Sequence, residues 1–419
     1  MCLAMSQPAF ASSAPAGHLA SPRLLLFIAI ACGLSAGANY INQPLIHSIA
    51  LALGVGDSQA SYLVTVAQVS YAVGLLFLVP LGDVLDRRRL VGVLMSLGAA
   101  GLLLSALSPW TPRPFAVLVA GTLMTGLFSV AAQVLVPFAS QLVPPAQSGR
   151  AVGLVMSGLL IGILAARTVA GLLSDLGGWN TAYWVAGLAM FSMACVLYRA
   201  LPARATVSAQ GMPYGQVLRS MVALVRSQPR LRTRALLGAL GFGATSVLFS
   251  TMALLLAGPG LGYGDSVIGL VGLTGVAGAV MATVVGRLLD RGWVHVVTGA
   301  GVLVLLLGWI PLWFGQYSLW IFIAGFLLTQ VAQQCLHIAN QNVIFGLAPE
   351  ARSRINACYM TGYFTGAALG SALGAWAWSH AGWLGACTAG VSMVLGGVVV
   401  WAWDRRLARS DPAAALRSR

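Results

Sequence analysis

The sequence predicts an all-α integral membrane protein whose twelve transmembrane helices form two pseudo-symmetric six-helix bundles. Composition is the first reason, since 58% of the residues are hydrophobic and 8% are charged, too few polar groups to cover an ordinary water-exposed surface. An internal repeat is the second. The segment GDVLDR at residues 82–87 returns 204 positions later as GRLLDR at residues 286–291, which indicates a duplicated membrane protein.

The same offset matches further positions without a gap. It pairs Gly121 with Gly325, Arg150 with Arg354, Gly158 with Gly362, Gly162 with Gly366, and Gly-Trp at 178–179 with Gly-Trp at 382–383. Chance could align some of the 50 glycines, but hardly a charged position and a Gly-Trp pair at one spacing. The repeat therefore equates loops as well as helices of the two halves.

Apolar stretches of about 20 residues, the length that crosses a ~30 Å hydrocarbon core, recur along the chain. Twelve are predicted and are called spans 1 to 12 in chain order. They cover residues 24–48, 60–81, 90–109, 115–138, 151–173, 180–198, 235–256, 266–285, 295–314, 319–344, 356–378 and 384–403. The N-terminal bundle is thus expected at residues 23–198 and the C-terminal bundle at residues 235–403.

The segment between the bundles, residues 199–234, is a basic linker with seven Arg and no acid. Within it Val217, Met221 and Val225 recur at helical spacing, which fits a helix on an anionic inner leaflet and equally an ordinary solvated linker helix. Residues 1–22 and the basic residues 404–419 are predicted to be cytoplasmic tails. The first lacks the apolar core of a cleaved signal and is expected to be disordered.

The net charge of +14 has a topological meaning in a membrane protein. All 23 basic residues are Arg, and 21 of them fall in alternate connections or the tails. Arg113 lies in an opposite connection and Arg167 inside a span. The positive-inside rule then places both termini in the cytoplasm, and no nucleic-acid partner is expected.

The repeated Gly-x-x-x-Asp-Arg segment closes the second span of each half. The loop between spans 2 and 3 resembles that of the major facilitator superfamily, which reads Gly-x-Leu-Ala-Asp-Arg-x-Gly-Arg-Arg, although Arg89 and Leu90 depart from it. The resemblance implies that Asp86 closes the cytoplasmic side against residues 353–356 and Arg150. The gating residues carried over are Gly82, Asp86, Arg87, Arg150, Gly286, Asp290, Arg291 and Arg354.

Further segments are similar to bacterial efflux members of that superfamily. They are NYINQP at residues 39–44, PPAQSGR at 144–150 and ARSRIN at 351–356. Gly158 and Gly162 partly match the antiporter motif of span 5, with Ile163 in place of its Pro. Small residues let helices approach closely, and the glycines predicted to pack helices are Gly158, Gly162, Gly362, Gly366 and Gly370.

Polar residues inside spans mark a transport pathway, because they are costly against lipid. In span 10, Gln330, Gln334, His337 and Gln341 fall at i, i+4, i+7 and i+11 and are predicted to face a cavity; bonding between helices is the alternative. Spans 1, 2 and 4 add the candidates Asn39, Tyr40, Gln43, Gln68, Tyr71 and Gln133. Pro44 lacks an N–H and is expected to loosen the end of span 1.

Arg167 is the one charge predicted deep inside the membrane. No Asp or Glu is predicted at its depth, so neutral polar groups or a bound anion must satisfy the guanidinium. Two roles stay open for it. It either organises the contact of spans 1 and 5 or binds the substrate directly.

These features predict a secondary transporter, expected as a monomer in the bacterial inner membrane, that exports a small organic solute by alternating access. Proton-coupled antiport is expected, with His337, which titrates near neutral pH when exposed, as a coupling candidate; a neutral packing role is the alternative for this histidine. A facilitator or an uptake symporter remains open. An integral membrane enzyme is disfavoured, because no catalytic, metal or phosphate motif is found, and no cofactor is expected.

Overall fold

The computed structural model describes residues 21–144, 147–202, 213–347 and 351–409, and these are helical with short turns between the helices. Most of the two predicted tails lies outside the described residues. Within the described part, ten helices are long and apolar enough to cross a membrane. One of these, Arg354–Arg409, contains two spans, and span 8 is split into two shorter helices. The predicted all-α fold with twelve spans is confirmed.

Helix bounds in the first half follow the predicted spans. Span 1 comprises Pro22–Ala38 and Ile46–Leu53, span 2 Asp57–Phe77, span 3 Arg87–Leu107, span 4 Pro114–Phe128 and Ala131–Gln141, span 5 Ser148–Gly177 and span 6 Trp179–Ala200. The first helix begins where it does because the Ser21 hydroxyl accepts a bond from the Leu24 amide at 3.2 Å and Pro22 suits the first helical position.

In the second half the helices extend further than the predicted spans. Span 7 is Pro229–Ala257, span 8 Asp265–Val271 and Val276–Asp290, span 9 Val294–Phe314 and span 10 Leu319–Leu347. Spans 11 and 12 form Arg352–Arg409, which bends at Ala381 and Gly382. Span 7 therefore starts before residue 235, and span 12 continues past residue 403. Gly382 has a φ of 56°, a conformation that favours glycine.

The linker forms the helix Tyr214–Ser227. Val217 and Met221 are buried while Val225 is exposed, and the Tyr214 hydroxyl donates to the Phe77 carbonyl at 2.8 Å. One apolar face of this helix therefore packs against the bundles rather than facing water.

Span 1 is broken near its middle rather than loosened at its end, where Pro44 was expected to act. The α-helix ends at Ala38, and the chain continues in tight turns in which the Gln43 amide donates to the Tyr40 carbonyl at 3.3 Å. Span 4 is broken as well, between Phe128 and Ala131. The Ser35 hydroxyl donates to the Ser129 carbonyl at 2.6 Å and satisfies a group that the second break leaves outside the helix.

Glycines bring paired helices into backbone contact in the same way in both halves. A Cβ on Gly162 would collide with Gly33, and one on Gly366 would collide with Ala239. The next pair down each helix is Gly158 against Ala29 and Gly362 against Ala235. Gly370 likewise lies against Gly243. The contact of spans 1 and 5 is therefore repeated by spans 7 and 11, in the manner expected of two related bundles.

The two halves pack tightly on one side of the membrane and separate on the other. The Ser61 hydroxyl donates to the Ser250 carbonyl at 2.9 Å, and the hydroxyls of Thr65 and Ser371 lie 2.9 Å apart. The separated side carries Arg87 to Arg89, Arg150, Arg352, Arg354 and the linker helix. It is called the basic side below.

Candidate functional site

A cavity of about 610 Å³ lies between the halves on the basic side. Clefts of roughly 300 to 1,000 Å³ hold drug-sized molecules, so the volume suits a small organic solute. Spans 2, 4, 10 and 11 and the linker helix supply its walls. The lining includes Leu75, Gly82, Arg87, Gln133, Gln141, Met221, Phe345, Arg352, Arg354, Asn356 and Met360.

The lining of this cavity is positively charged. Arg87, Arg352 and Arg354 contribute to it, and no Asp or Glu occurs among its described lining residues. Arg87 is held in place, because its Nε donates to the Gly82 carbonyl at 2.9 Å and an Nη donates to Gln141. A cleft with one sign of charge concentrates ligands of the other sign.

The predicted gating residues are spread around this opening. Asp86 caps the helix of span 3 by accepting a bond from the Arg89 amide at 3.2 Å. Between the described residues there is no hydrogen bond or ion pair that joins Asp86 to Arg150 or Arg354. The closed contact that the resemblance implies is therefore not formed in this conformation, in which the basic side is open.

Three of the repeat counterparts, Gly286, Asp290 and Arg291, are not among the residues that line the cavity. Asp290 and Arg291 end the second helix of span 8, and Gly286 has open space around its Cα. Arg150 begins span 5 and is exposed. Of the predicted gating set, Gly82, Arg87 and Arg354 line the cavity.

An aromatic cluster closes the cavity toward the middle of the membrane. The rings of Tyr71 and Phe364 lie 4.4 Å apart, and Phe242 stacks on Tyr363 at 4.1 Å. Tyr71 and Phe364 stand about one helical turn above the lining residues Leu75 and Met360. These four rings come from spans 2, 7 and 11, so they join the halves where the cavity ends.

The polar residues of span 10 bond to span 11 instead of lining the large cavity. Gln333 donates to the Tyr363 hydroxyl at 3.1 Å, a His337 ring nitrogen lies 3.1 Å from the Tyr359 hydroxyl, and Gln341 donates to Asn356 at 3.4 Å. Gln333, His337 and Gln341 recur every four residues, so these bonds form a ladder between the helices. Through Asn356 the end of this ladder reaches the cavity.

The other predicted cavity residues lie at several depths. Gln330 and Gln334 lie beside Gly278 of span 8, while Gln133 lines the cavity directly. Gln68 is buried, and its Oε1 has no hydrogen-bond partner within the described part of the chain. A role of these residues in binding a solute stays a prediction.

Arg167 is buried between the two halves. Its Nε donates to Gln43 Oε1 at 2.7 Å, and its guanidinium carbon lies 4.7 Å from the Tyr40 ring centre and 4.3 Å from that of Phe249. Gly272 of span 8 also approaches it, since a Cβ there would sit 3.1 Å from Arg167 Cδ. Neutral groups of spans 1 and 7 therefore surround the guanidinium, and none of its partners among the described residues is a carboxylate.

Sequence reasoning missed a pair of aspartates on the closed side. Asp265 Oδ2 accepts bonds from the Ser48 and Ser174 hydroxyls, each at 2.6 Å. In the opposite direction, Asp175 of the first half accepts a hydrogen bond from the Ser266 amide of the second half at 3.3 Å. Each acid thus binds hydroxyl or amide donors of the other half. The sequence offered a signal for Asp265, which directly precedes predicted span 8. Carboxylates are favourable at helix N-termini.

A buried ion pair in the second half was missed as well. Arg234 Nη2 lies 2.6 Å from Asp404 Oδ2, and both side chains are 0% exposed. The Thr233 hydroxyl donates to Asp404 at 2.7 Å, and Arg234 donates to Thr298 at 3.0 Å. These contacts tie spans 7, 9 and 12 together. Both charged residues lie directly beside predicted spans. The sequence alone assigned Arg234 to the linker and Asp404 to the C-terminal tail.

Comparison with known proteins decides the family. Residues 28–312 match the model of the Major Facilitator Superfamily. The chain belongs to this superfamily. It is therefore a multi-pass membrane transporter of small solutes and not an enzyme, and the resemblance seen in the loop motifs is confirmed.

Two relatives and one solved structure of the same fold show how far the likeness extends. The uncharacterized transporter YgaY of Escherichia coli O157:H7 is 48% identical over 384 residues, which is 92% of this chain and 96% of YgaY. The chloramphenicol resistance protein of Streptomyces lividans is 30% identical over 291 residues, 69% of this chain and 72% of that protein. The crystal structure of a bacterial homolog to the human lysosomal transporter Spinster, inward-facing and occupied, shares the fold with a TM-score of 0.74 at 14% identity, covering 94% and 97% of the two chains.

Proposed function

We propose that this transporter exports a small organic solute from the bacterial cytoplasm across the inner membrane. The observation that carries the proposal is the cavity of about 610 Å³, which opens on the basic side while the halves are packed together on the other side. The excess of Arg on the basic side supports a cytoplasmic location for it. The cavity then loads from the cytoplasm.

Export is the direction that the relatives favour. The efflux-type segments at residues 39–44 and 351–356 and the chloramphenicol resistance relative both support it. In the transport cycle, a solute enters beneath the aromatic cluster, the basic side closes over it, and the serine contacts of Asp265 on the opposite side separate. The three arginines of the lining favour a solute with an anionic or electron-rich group.

The energy source is proposed to be proton antiport, with His337 or a motif aspartate in the coupling step. Passive facilitation is the second candidate, and two observations favour it. No Asp or Glu lies among the described residues that line the cavity, and His337 is bonded to the Tyr359 hydroxyl as a neutral packing residue would be.

Reconstituted flux separates the two energy sources. Solutes are first found by an export and sensitivity screen in a host that lacks its own pumps, and the strongest is loaded into proteoliposomes. Proton antiport predicts that an imposed pH difference drives the solute against its own gradient, because the proton gradient supplies the free energy. Flux that follows only the solute gradient would instead establish a facilitator.

Asp86→Asn is expected to slow transport at least about ten-fold, since a bond to a charged group contributes about 1.5 to 3 kcal/mol and the closed basic side would lose it. Folded yield should stay near normal, because Asn caps helices about as well as Asp. Asp290→Asn, the repeat counterpart in the same gating set, is measured beside it to show whether the second copy of the motif also contributes. Solute flux is measured in proteoliposomes with each variant, and wild-type flux in Asp86→Asn would refute the gating role.

A further inference from the structure

A second, much smaller cavity lies wholly inside the first half. Its volume is about 10 Å³, about the space that one water-sized sphere occupies. Spans 1, 2, 4 and 6 enclose it. Its polar lining consists of Asn39, Asn42, Thr122, Thr125 and Tyr183. Asn39 and Asn42 flank the break in span 1, so the cavity sits beside the interrupted part of that helix.

Each of these five lining side chains has at least one buried polar atom without a hydrogen-bond partner. Asn39 Oδ1 and Nδ2, Asn42 Oδ1, and the hydroxyls of Thr122, Thr125 and Tyr183 are buried, with no hydrogen-bond partner among the described residues. The five side chains are 3 to 5% exposed. Burying a polar group without a partner is unfavourable, so these atoms around one cavity indicate a bound partner that pairs several of them.

The described residues at the equivalent positions of the second half do not form such a polar cluster, although the same helices are repeated there. The glycine contacts align Asn39 with Thr245 and Asn42 with Leu248, and the 204-residue offset aligns Thr122 with Phe326 and Thr125 with Thr329. Thr245 and Thr329 donate to carbonyls of their own helices at 3.1 and 2.7 Å, and Leu248 and Phe326 are buried apolar residues. The duplicated fold therefore does not require the polar cavity.

The chemistry of the lining selects the ligand. Hydroxyls both donate and accept, Asn39 supplies a donor and an acceptor, and no carboxylate is among the described lining residues. A cation would bring an uncompensated charge into the membrane interior, which is costly. A cation here would also lie near the positive Arg167 guanidinium, because Arg167 bonds Gln43 and Gln43 directly follows Asn42. Water is a neutral ligand that donates and accepts hydrogen bonds, and its size matches the volume of this cavity.

We propose that this cavity binds one ordered water molecule that bridges the broken part of span 1 to spans 4 and 6. Asn39 and Asn42 bracket Tyr40, and Gln43 follows directly. The water holds this turn in the shape that presents Tyr40 and Gln43 to Arg167. The site is distinct from the solute cavity and does not depend on which solute is carried.

X-ray hydroxyl-radical footprinting with mass spectrometry tests the site on the purified full chain in lipid nanodiscs, because a bound water is converted to a radical in place. The Tyr183 ring is expected to be oxidised although it is 3% exposed. Tyr359, which is 0% exposed and whose hydroxyl is bonded to His337, is expected to stay unmodified. Equal protection of both tyrosines in the wild-type chain would overturn the proposal without any variant.

The double variant Thr122→Val/Thr125→Val removes two hydroxyls at nearly constant volume. Oxidation of Tyr183 is expected to fall about five-fold or more, since the double variant removes two hydrogen bonds to the water. Thr329→Val, at the repeat position, is the control and should leave Tyr183 oxidation unchanged. Unchanged oxidation in the double variant would overturn the water site. A drop in wild-type oxidation when sodium chloride replaces choline chloride would show that a cation takes the cavity instead.

Discussion

Gly162→Val is expected to prevent the chain from folding. A Cβ at Gly162 would collide with the backbone of Gly33 in span 1, and neither backbone can move without displacing a whole helix. Overpacking a core against flexible side chains costs about 1 to 3 kcal/mol, and a backbone collision belongs to the rarer class above about 4 kcal/mol. Folded yield is measured by size-exclusion chromatography of detergent extracts, and melting temperature on any protein recovered.

Gly153→Val is the matched control for this substitution. It places the same residue in the same helix, at a glycine whose added Cβ would meet nothing within 4 Å, so yield should stay at the wild-type level. Gly366→Val should repeat the loss, because Gly366 meets Ala239 of span 7 in the same way. Recovery of Gly162→Val at wild-type yield and melting temperature would show that spans 1 and 5 are not held together by this contact.

Arg167→Lys is expected to lower both folded yield and the maximal transport rate for every solute. Lysine keeps the charge but loses the planar group that lies over the Tyr40 and Phe249 rings and bonds Gln43. The bond to a charged group contributes about 1.5 to 3 kcal/mol, and each ring contact about 0.5 to 2 kcal/mol. Arg167→Ala should be worse, since it removes all of them.

The alternative role for Arg167, direct binding of the solute, predicts another pattern. The apparent KM would rise for anionic or electron-rich solutes, while folded yield and the rate for neutral solutes stayed normal. Arg113→Lys is the control, because Arg113 is exposed and should tolerate the change. Wild-type yield and kinetics in Arg167→Ala would eliminate both roles.

A second substitution checks the contact from its other side. Gln43→Leu removes the acceptor of the Arg167 Nε and leaves the guanidinium without a hydrogen bond in a buried place. Both substitutions break the same Arg167–Gln43 hydrogen bond. The loss of folded yield in the double variant Gln43→Leu/Arg167→Lys should therefore be smaller than the sum of the losses in the single variants. Additive losses would mean that the two residues act independently.

The general architecture was predictable because it follows from features of the local sequence. Apolar length sets the spans, the placement of Arg sets the alternation of connections, and the repeat at Gly82 and Gly286 sets the duplication. Pro44 predicted a loosened helix in span 1 because it lacks an N–H, although the break lies near the middle of the span rather than at its end. None of these inferences requires knowing which helix lies beside which.

The candidate site was less predictable because it depends on contacts between distant helices. A helical stripe shows that Gln330, Gln334 and His337 share a face, but not whether that face meets a cavity or another helix. The burial of Arg234 and Asp404 follows from their pairing across span ends. Each looks like an ordinary solvated charge when the other is unknown. Asp265 was missed for the same reason, since its partners are serines of the other half.

Transport by alternating access requires the two halves to separate on the closed side. Thr65→Cys/Ser371→Cys places two thiols where hydroxyls now lie 2.9 Å apart, between span 2 and span 11. Disulfide formation is followed by gel shift, and solute flux is measured before oxidation, after it, and after reduction, with each single cysteine variant as control. Alternating access predicts that oxidation abolishes flux and that reduction restores it. Full flux through a quantitatively cross-linked protein would contradict the claim.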